Sequence, residues 1–445
     1  MRFSLRLVPS CVIATTCVGC AATPGARAHD AMIRQVSRAD RERTSAKDVV
    51  LGGATLDRKA LVAAVLARNP DLDAARQTWR AAAAGYTGAA SLDDPMASYI
   101  VAPATIGSSV PFSQTIELRQ KLPWPGKRQL AGGAALADAE AAEADFEALR
   151  LDLAQAAVDA FDELYVVARA LEVNTHHHEL LERLERSAVA QYTVGHGSQQ
   201  DPLEARAEVI ALDRECLLLE TQQRAAQAKL NRLLRRRADA ELPPAPAKLD
   251  ADPGVVASAE PHPRQRAATA RVQAREADLA YAERAFYPDL ELIATYDGFW
   301  DAWQQRLTVG IGVEIPLQRG KRRAAVERAR AEAAKATAEL ASVSDMLDED
   351  RDRARREVEE ASRALELYEH QLLPATRARV DAALAGYTAG QNPFTTVVMA
   401  EHAFRGAELN VEQARADLDR KAAALDRASG RIPGGVPAGV PGGPR

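Results

Sequence analysis

Two segments of the chain alternate strictly between large aliphatic residues and small or polar residues. In 307–315 every odd position is aliphatic, and in 112–122 the aliphatic residues share one face while Thr115, Glu117 and Arg119 lie on the other. A period of two over this length predicts β-strands with one apolar face. The aliphatic positions that define this face are Ile116, Leu118, Leu307, Val309, Ile311 and Val313.

Partner strands are predicted upstream of both segments, at Met96–Ala102 and Asp289–Tyr296, which gives each half of the chain one hairpin. Strands of about 9–11 residues that are apolar on one face and polar on the other are typical of transmembrane β-strands. The second hairpin connection contains Phe299, Trp300 and Trp303, and aromatic residues favour a membrane interface. The same alternation also fits two amphipathic hairpins on a soluble sheet.

Very long helices are predicted after each second strand. Residues 134–191 contain no Gly or Pro in 58 positions, which corresponds to a helix of roughly 87 Å. Apolar residues in this segment recur at the 3/4 spacing of coiled-coil packing. The second copy, 321–386, is interrupted only by Pro374, which predicts a kink or a change of packing. Return helices are predicted at 198–237 and 394–429.

The chain contains an internal duplication with an offset of 193–195 residues. Asn69-Pro70 matches His262-Pro263, and the turn Tyr192-Thr193-Val194-Gly195 matches Tyr387-Thr388-Ala389-Gly390. The other matching pairs are Asp94-Pro95 with Tyr287-Pro288, Pro123 with Pro316, and Gly126-Lys127-Arg128 with Gly320-Lys321-Arg322. Each half therefore follows the order helix, two strands, long helix, Gly-containing turn and return helix.

Four strands per chain predict an oligomer if the strands cross a membrane. An open sheet edge in lipid leaves backbone N–H and C=O groups unsatisfied, at a cost of several kcal/mol each. Strands from neighbouring chains must then close the sheet, so the total is 8, 12 or 16. An eight-stranded barrel fills its own interior, and twelve strands from three chains is the smallest number that leaves a lumen.

The composition agrees with long helices rather than with one large core. Only 5% of residues are aromatic, 27% are charged, and the formal net charge is −5. The mean hydropathy of −0.26 and the lack of later apolar runs near 20 residues argue against a polytopic helical membrane protein. The mildly acidic balance argues against a nucleic-acid partner, which requires a basic face.

The N-terminus has the pattern of a secretory signal. Arg2 and Arg6 precede an apolar stretch that is too short to span a bilayer. Cys17-Val18-Gly19-Cys20 resembles a bacterial lipoprotein signal, which predicts a signal peptide at 1–19 and acylation of Cys20, although Leu usually occupies the position of Cys17. The alternative is ordinary cleavage near Ala28.

Candidate chemical sites are few. His176, His177 and His178 point about 100° apart on a helix and cannot converge on one ion, so a solvated helix face is predicted and no metal site. The basic clusters at 127–128 and 321–323 can bind anionic headgroups or support a helix start, and we favour the structural role. The sequence contains no phosphate loop, Cys/His cluster or nucleophile motif, which predicts neither a cofactor nor an enzyme.

These residues resemble the TolC-type outer-membrane efflux proteins, the trimeric exit ducts of tripartite pumps. The resemblance covers about 56–428 and rests on Asn69-Pro70, the duplicated strand pairs, the segment 121–128 and the two Tyr-Thr-x-Gly turns. The Pro-Trp-Pro-Gly-Lys-Arg segment is most similar to the heavy-metal branch, the cobalt–zinc–cadmium and copper–silver systems of the RND type. The resemblance implies a 12-stranded β-barrel, with four strands per chain, that continues into a periplasmic α-helical barrel.

The resemblance also implies a gate at the periplasmic helix tips. The candidate residues are Tyr192, Gly195, Asp201, Glu204, Tyr387, Gly390 and Thr396. In the family, acidic residues six and nine positions after the second turn glycine surround the gate, but here those positions hold Thr396 and Met399. An acidic constriction must therefore come from Asp201 and Glu204. The alternative role of Asp201-Pro202 is a plain helix start, with Asp as the N-cap.

We therefore expect a mainly α, internally duplicated protein with a small transmembrane β part. The expected divisions are the signal at 1–19, an extended N-terminal segment at 20–55, repeats at 56–242 and 264–430, a linker at 243–263 and a disordered tail at 431–445. The predicted function is a passive outer-membrane efflux duct for metal cations or small toxic compounds. Its predicted partners are two further copies of the chain, a periplasmic adaptor, an inner-membrane RND transporter and outer-membrane lipids. The alternative is a lipid-anchored periplasmic coiled-coil scaffold without a pore.

Overall fold

The computed structural model describes residues 24–46, 53–107, 113–195, 197–249, 260–300 and 302–434. Ten helices and four strands lie in these ranges: α1 Pro24–Ala46, α2 Arg58–Arg68, α3 Pro70–Ala90, β1 Met96–Val101, β2 Gln114–Leu122, α4 Lys127–Thr193, α5 Gln200–Leu233, α6 Pro263–Arg284, β3 Asp289–Asp297, α7 Trp303–Arg306, β4 Leu307–Glu314, α8 Arg319–Leu367, α9 Leu373–Thr388 and α10 Phe394–Ala428. The predicted order of helix, hairpin, long helix and return helix is present in both halves. None of the helices in the described ranges is long and apolar enough to cross a membrane.

The four strands form one antiparallel sheet in the order β1-β2-β3-β4. Both predicted hairpins are present, with Tyr99 opposite Ile116 in the first and Ala294 opposite Val309 in the second. The hairpins are joined through β2 and β3, where Leu118 lies opposite Ala294. The sheet is therefore shared by the two repeats, while β1 and β4 form its outer edges.

The helix α4 runs without a break over 67 residues. It begins after Gly126, whose φ of +88° is a left-handed conformation that glycine adopts without strain. In the predicted apolar stripe, Phe146, Leu153, Phe161 and Leu164 are buried, while Leu149 and Leu171 are half-buried. Many of the other buried positions are Ala, and small side chains let neighbouring helices approach closely.

The duplication is visible in equivalent contacts as well as in the sequence. Asn69 and His262 are the N-caps of α3 and α6, and each side chain accepts a hydrogen bond from the backbone N–H two residues later. At the other end of these helices, Arg128 Nε donates to the carbonyl of Ala90 at 2.9 Å, and Arg322 Nε donates to that of Ala285 at 2.8 Å. These two arginines therefore have the structural role predicted for their clusters.

A π-helical turn at Tyr368–Leu372 separates α8 from α9 and lies immediately before Pro374. Proline has no N–H to donate and its ring clashes with the carbonyl of the residue four positions earlier, so a wider turn accommodates it. A π turn contains one residue more than a turn of the α-helix that it interrupts. It lies between Gly320 and Tyr387, which is where the repeat offset rises from 194 to 195. The sequence predicted a kink or a change of packing at Pro374, and the structure has a π turn immediately before it.

The largest core lies where α2, α4 and the two return helices meet, around Leu61, Phe161, Tyr165 and Leu230. The first residues of the expected tail also belong to this core: Ile432 is buried, and Arg431 Nε donates to Asp426 Oδ1 at 2.9 Å. The expectation of disorder is therefore wrong for 431–434, because an apolar side chain has space between the helices there. The rest of the tail lies outside the described residues.

The expectation of an extended N-terminal segment is wrong for residues 24–46, which form α1. Met32 and Val36 are one helical turn apart and are buried in a cluster with Trp79 and Ala83 of α3. This pair of apolar residues gives α1 a face that packs on α3. The signal peptide and Cys20 lie outside the described residues.

Candidate functional site: the helix tips and the apolar sheet face

The turns at the helix tips are built in the same way in both repeats. Gly195 and Gly390 have φ values of +78° and +67°, which end the helices α4 and α9. The N–H of each glycine donates to the carbonyl of the tyrosine three residues earlier, Tyr192 or Tyr387, at 3.1 and 3.0 Å. The predicted Tyr-Thr-x-Gly turns are therefore real helix C-caps.

Asp201 connects the tips of the two repeats. The hydroxyl of Tyr387 donates to Asp201 Oδ2 at 3.1 Å. Burial and the nearby carboxylate raise the pKa of Tyr387 to about 12, so its hydroxyl keeps its proton. Asp201 lies inside the first turn of α5, whose N-cap is Gln199, so the predicted N-cap role is wrong.

An apolar cluster surrounds this hydrogen bond. The ring of Tyr387 packs on that of Phe394 with 5.3 Å between centroids, and both rings are buried. Ala205 of α5 and Ala188 of α4 belong to the same cluster. Water is therefore excluded from one side of the bond, which strengthens the attraction between the hydroxyl and the carboxylate.

The remaining gate candidates do not converge on Asp201 in the same way. Glu204 lies one turn further along α5, and burial together with Asp201 raises the pKa of its carboxyl group. Tyr192 is 44% exposed, although it is the repeat equivalent of Tyr387. Thr396, the equivalent of Asp201, offers no carboxylate to pair with it. Tyr387 and Asp201 thus form a hydrogen bond at the tips, whereas the repeat-equivalent pair, Tyr192 and Thr396, does not form a tyrosine–carboxylate bond.

The sheet has one continuous apolar face. The register places Ile116, Tyr296 and Leu307 in one row and Leu118, Ala294 and Val309 in the next. The predicted apolar strand positions are all exposed on this face: Ile116, Leu118, Leu307, Val309, Ile311 and Val313, at 48–73%. No described part of the chain covers it. An exposed apolar surface of this extent marks a place where lipid or protein binds.

The opposite face of the sheet carries polar residues on its two central strands, interrupted by Ile293 opposite Arg119. Glu117 lies opposite Thr295, and Lys121 lies opposite Glu291, with both rows on the face away from Leu118. The turn between β3 and β4 exposes Trp300 and Trp303. The sheet therefore separates an apolar side from a polar side and carries aromatic residues at one end.

An ion pair between a buried lysine and a half-buried aspartate joins the sheet to the helices. Lys127 Nζ, at the start of α4, donates to Asp289 Oδ1 at 2.7 Å and to the carbonyl of Tyr287 at 3.3 Å. The same carboxylate oxygen accepts the backbone N–H of Trp124 at 2.7 Å, and the ring of Trp124 stacks on that of Tyr287. The sequence indicated a structural role for Lys127 but not its partner, because Asp289 is 162 positions away.

The prediction of a solvated helix face for the three histidines is wrong for His177. Its side chain is fully buried between α4 and α10, where both ring nitrogens contact carboxylates. Both carboxylates, Glu401 and Glu408, belong to α10. Their seven-residue spacing was a sequence signal that the two side chains lie on the same face of that helix. Within the described ranges, no group of three or more His, Cys, Asp or Glu residues is arranged to hold a metal ion.

Comparison with known proteins places the fold. Residues 257–431 match the family described as outer membrane efflux protein. That segment covers the whole second repeat, 264–430. No curated protein matches the sequence significantly.

The structure is similar to solved outer-membrane channels. CusC, studied for its transmembrane channel formation, has a TM-score of 0.74 at 16% identity, over 85% of this chain and 93% of that one. VceC of Vibrio cholerae has a TM-score of 0.70 at 18% identity, over 84% and 96%. The open state of MtrE of Neisseria gonorrhoeae has 0.70 at 19%, over 84% and 89%. The fold is that of these channels.

Proposed function

We propose that the protein is the outer-membrane channel of a tripartite efflux system of the RND type. It is a passive duct with no catalytic residue, and the free energy of export comes from its partners. The observation that carries this proposal is the apolar face of the sheet, which crosses all four strands and is exposed. A chain of this fold with such a face is suited to lipid on one side and water on the other.

The outer edges of the sheet support a trimer. Within the described residues, β1 and β4 each pair on one side alone. Backbone groups at such edges need partners in hydrocarbon, so strands of sister chains must continue the ladder. Three chains give 12 strands and a lumen, and the polar face with Glu117, Lys121 and Glu291 then lines that lumen.

The helices extend the duct away from the sheet and end in the gate. Three copies of the bond between Tyr387 and Asp201 fasten the two repeats of each chain together at the tips. Three copies of Asp201 and Glu204 place acidic groups near one axis, which attracts cations. Opening requires these contacts to break, and a periplasmic adaptor with an inner-membrane transporter is the proposed trigger.

The position of α1 supports a lipid anchor on Cys20. Gly25 lies near Tyr86, and His29 contacts the carbonyl of Ala83, so α1 begins beside the part of α3 that leads into β1. Cys20 precedes this start by four residues. An acyl chain on Cys20 would enter the membrane leaflet at the end of the sheet where the long helices begin. The protein would then be an outer-membrane lipoprotein whose helices extend into the periplasm.

The exported substrate is proposed as metal cations or small toxic compounds. The Pro-Trp-Pro-Gly-Lys-Arg segment at 123–128 supports the heavy-metal branch. Its contacts, however, are structural: Arg284 Nη1 donates to the carbonyl of Pro125 at 2.9 Å, and Lys127 binds Asp289. Selectivity is therefore assigned to the transporter rather than to this segment.

Subunit number and conductance together test the proposal. The purified protein in mild detergent is expected to have the mass of three chains and to give stepwise currents in planar bilayers. A monomer that is extracted as a helical rod and gives no current would instead indicate the lipid-anchored scaffold. Metal sensitivity of a deletion strain, compared with its sensitivity to organic toxicants, tests the substrate class separately.

A further inference from the structure

His177 occupies an unusual environment for a residue in a long helix. Its side chain is 0% exposed, and that of Glu401 on α10 is 1% exposed. Nδ1 of His177 contacts Glu401 Oε1, and Nε2 lies 2.5 Å from Glu408 Oε2. The ring of Phe404 packs against the imidazole with 5.6 Å between centroids. The imidazole is therefore held between two carboxylates of one neighbouring helix.

Both contacts require a proton that neutral histidine does not have. A neutral imidazole carries one N–H, so it can donate to one carboxylate and presents a lone pair to the other. The protonated ring donates from both nitrogens and also neutralises the buried charge of Glu401. Without that second proton, one carboxylate would face a lone pair of the buried ring, which is unfavourable and most costly for Glu401, whose side chain is 1% exposed.

We propose that His177 is a proton-dependent clamp that fastens α4 to α10 between the main core and the helix tips. The protonated imidazole holds the two helices together through Glu401 and Glu408. Loss of its proton breaks one contact and loosens the seam. The site lies about 24 Å along α4 from the tip at Thr193, so a loosened seam would free the end of α10 near the tip.

The other charged groups near this site already have partners. On α10, Arg405 Nη1 donates to Glu215 of α5 at 2.8 Å. His178 of α4 pairs with Asp213 of α5, and also approaches Glu182 on its own helix. A further pair at this level joins His402 of α10 to Glu208 of α5. His176 is exposed, and its ring meets that of His177 edge-on with 5.7 Å between centroids. Glu401 and Glu408 are therefore the carboxylates that decide the protonation of His177.

The direction of the pH dependence follows from these contacts. Burial lowers the pKa of His177, but the bonds to Glu401 and Glu408 outweigh it and raise the pKa to about 9, from an ordinary value of 6.5. A group whose pKa is higher in the folded state stabilises that state fully below its unfolded pKa. The stabilisation is then lost as the pH rises from about 6.5 through 9.

Thermal unfolding of the intact protein in detergent between pH 6 and pH 10 tests the clamp. His177→Gln is expected to lower Tm by several degrees at pH 6, with the difference from wild type shrinking above pH 9. The exposed neighbour supplies the matched control, since His176→Gln should follow the wild type at every pH. A His177→Gln deficit that is equal at pH 6 and pH 10 would overturn the proposal.

A second measurement locates the effect and uses a milder variant. Glu408→Gln removes one carboxylate that is 28% exposed, so the fold should tolerate it, and the alkaline loss of Tm should move to lower pH. Hydrogen exchange of 398–408, compared between wild type and variant at each pH, should show loosening in this seam and not in 326–336 of α8. An unchanged pH midpoint in Glu408→Gln would also overturn the clamp. Neither test depends on conductance, so the channel proposal can fail while the clamp stands.

Discussion

The hydroxyl of Tyr387 donates a hydrogen bond to Asp201 Oδ2 at 3.1 Å, although the two residues belong to different repeats. The equivalent residues, Tyr192 and Thr396, cannot form the same bond because Thr396 lacks a carboxylate. The two halves of the tip are therefore fastened asymmetrically. In the proposed opening of the tip, the bond between Tyr387 and Asp201 is therefore the contact that must break.

Removal of the Tyr387 hydroxyl should loosen the proposed gate at the helix tips. Tyr387→Phe keeps the ring packed on Phe394 and deletes the bond to Asp201, at a cost of about 1 kcal/mol per chain. We expect a larger mean conductance in planar bilayers than in wild type. Tyr192→Phe changes the exposed equivalent residue and should leave the conductance unchanged. Equal effects of the two substitutions would argue against a role of the Tyr387–Asp201 bond in closing the tip.

Lys127, through its ion pair with Asp289, should contribute more to stability than Lys321, which is its equivalent in the second repeat. Lys127→Met removes a charged hydrogen bond at the joint between sheet and helices, with an expected loss of about 1.5–3 kcal/mol in the free energy of unfolding. Lys321→Met changes an exposed residue and should cost little. Chemical denaturation of both variants measures the difference, and similar losses would contradict a specific role for Lys127.

The two faces of β4 should respond differently to a charge. Ile311→Asp places a carboxylate on the apolar face and should block membrane assembly, with a cost of about 2–4 kcal/mol or less. Thr308→Asp lies on the other face and should assemble normally. Assembly is measured on gels, by comparing the mobility of the protein from the membrane fraction with and without heating. Equal tolerance of both substitutions would count against a lipid-facing sheet.

Asp162 should make the protein less stable as the pH rises. Burial and the neighbouring carboxyl group of Asp419 hold the pKa of Asp162 well above its ordinary value of 3.8. The folded state therefore binds a proton that the unfolded state releases, so the free energy of unfolding falls as the pH rises above about 4, until Asp162 also ionises in the folded state.

Substitution separates this contribution from others. Asp162→Asn should flatten the dependence of the unfolding free energy on pH between 5 and 8. Glu163→Gln, in the exposed ion pair with Lys229, should retain the wild-type slope. A slope that survives in Asp162→Asn would show that another group binds the proton.

Acylation of Cys20 should be visible in the mass of the mature chain. The wild-type protein is expected to begin at Cys20 with attached fatty acids, and Cys20→Ser should lack them while remaining in the outer membrane through its sheet. Intact-mass measurement distinguishes the outcomes. A wild-type chain that begins after Ala28 and carries no lipid would contradict the anchor.

From residue 56 onward, the local pattern was sufficient for the main elements and their order. Alternation at 307–315 predicted β4 and its apolar face, and the absence of Gly and Pro in 134–191 predicted most of α4. The offsets of the duplication even indicated an extra residue, which the structure places in the π turn before Pro374. Periodicity and the special backbone chemistry of Gly and Pro act over a few residues, so they can be read without the fold.

Contacts between distant segments were decided by the tertiary structure alone. Nothing near Lys127 indicated Asp289, and a run of three histidines did not show that His177 alone turns into the seam with α10. The helix at 24–46 was missed because its short apolar face gains stability through packing on α3. The sequence thus determined which residues could form strands and long helices, because those preferences are local. Only the packing of α4 against α10, and of one repeat against the other, decided which polar groups lost water and found partners.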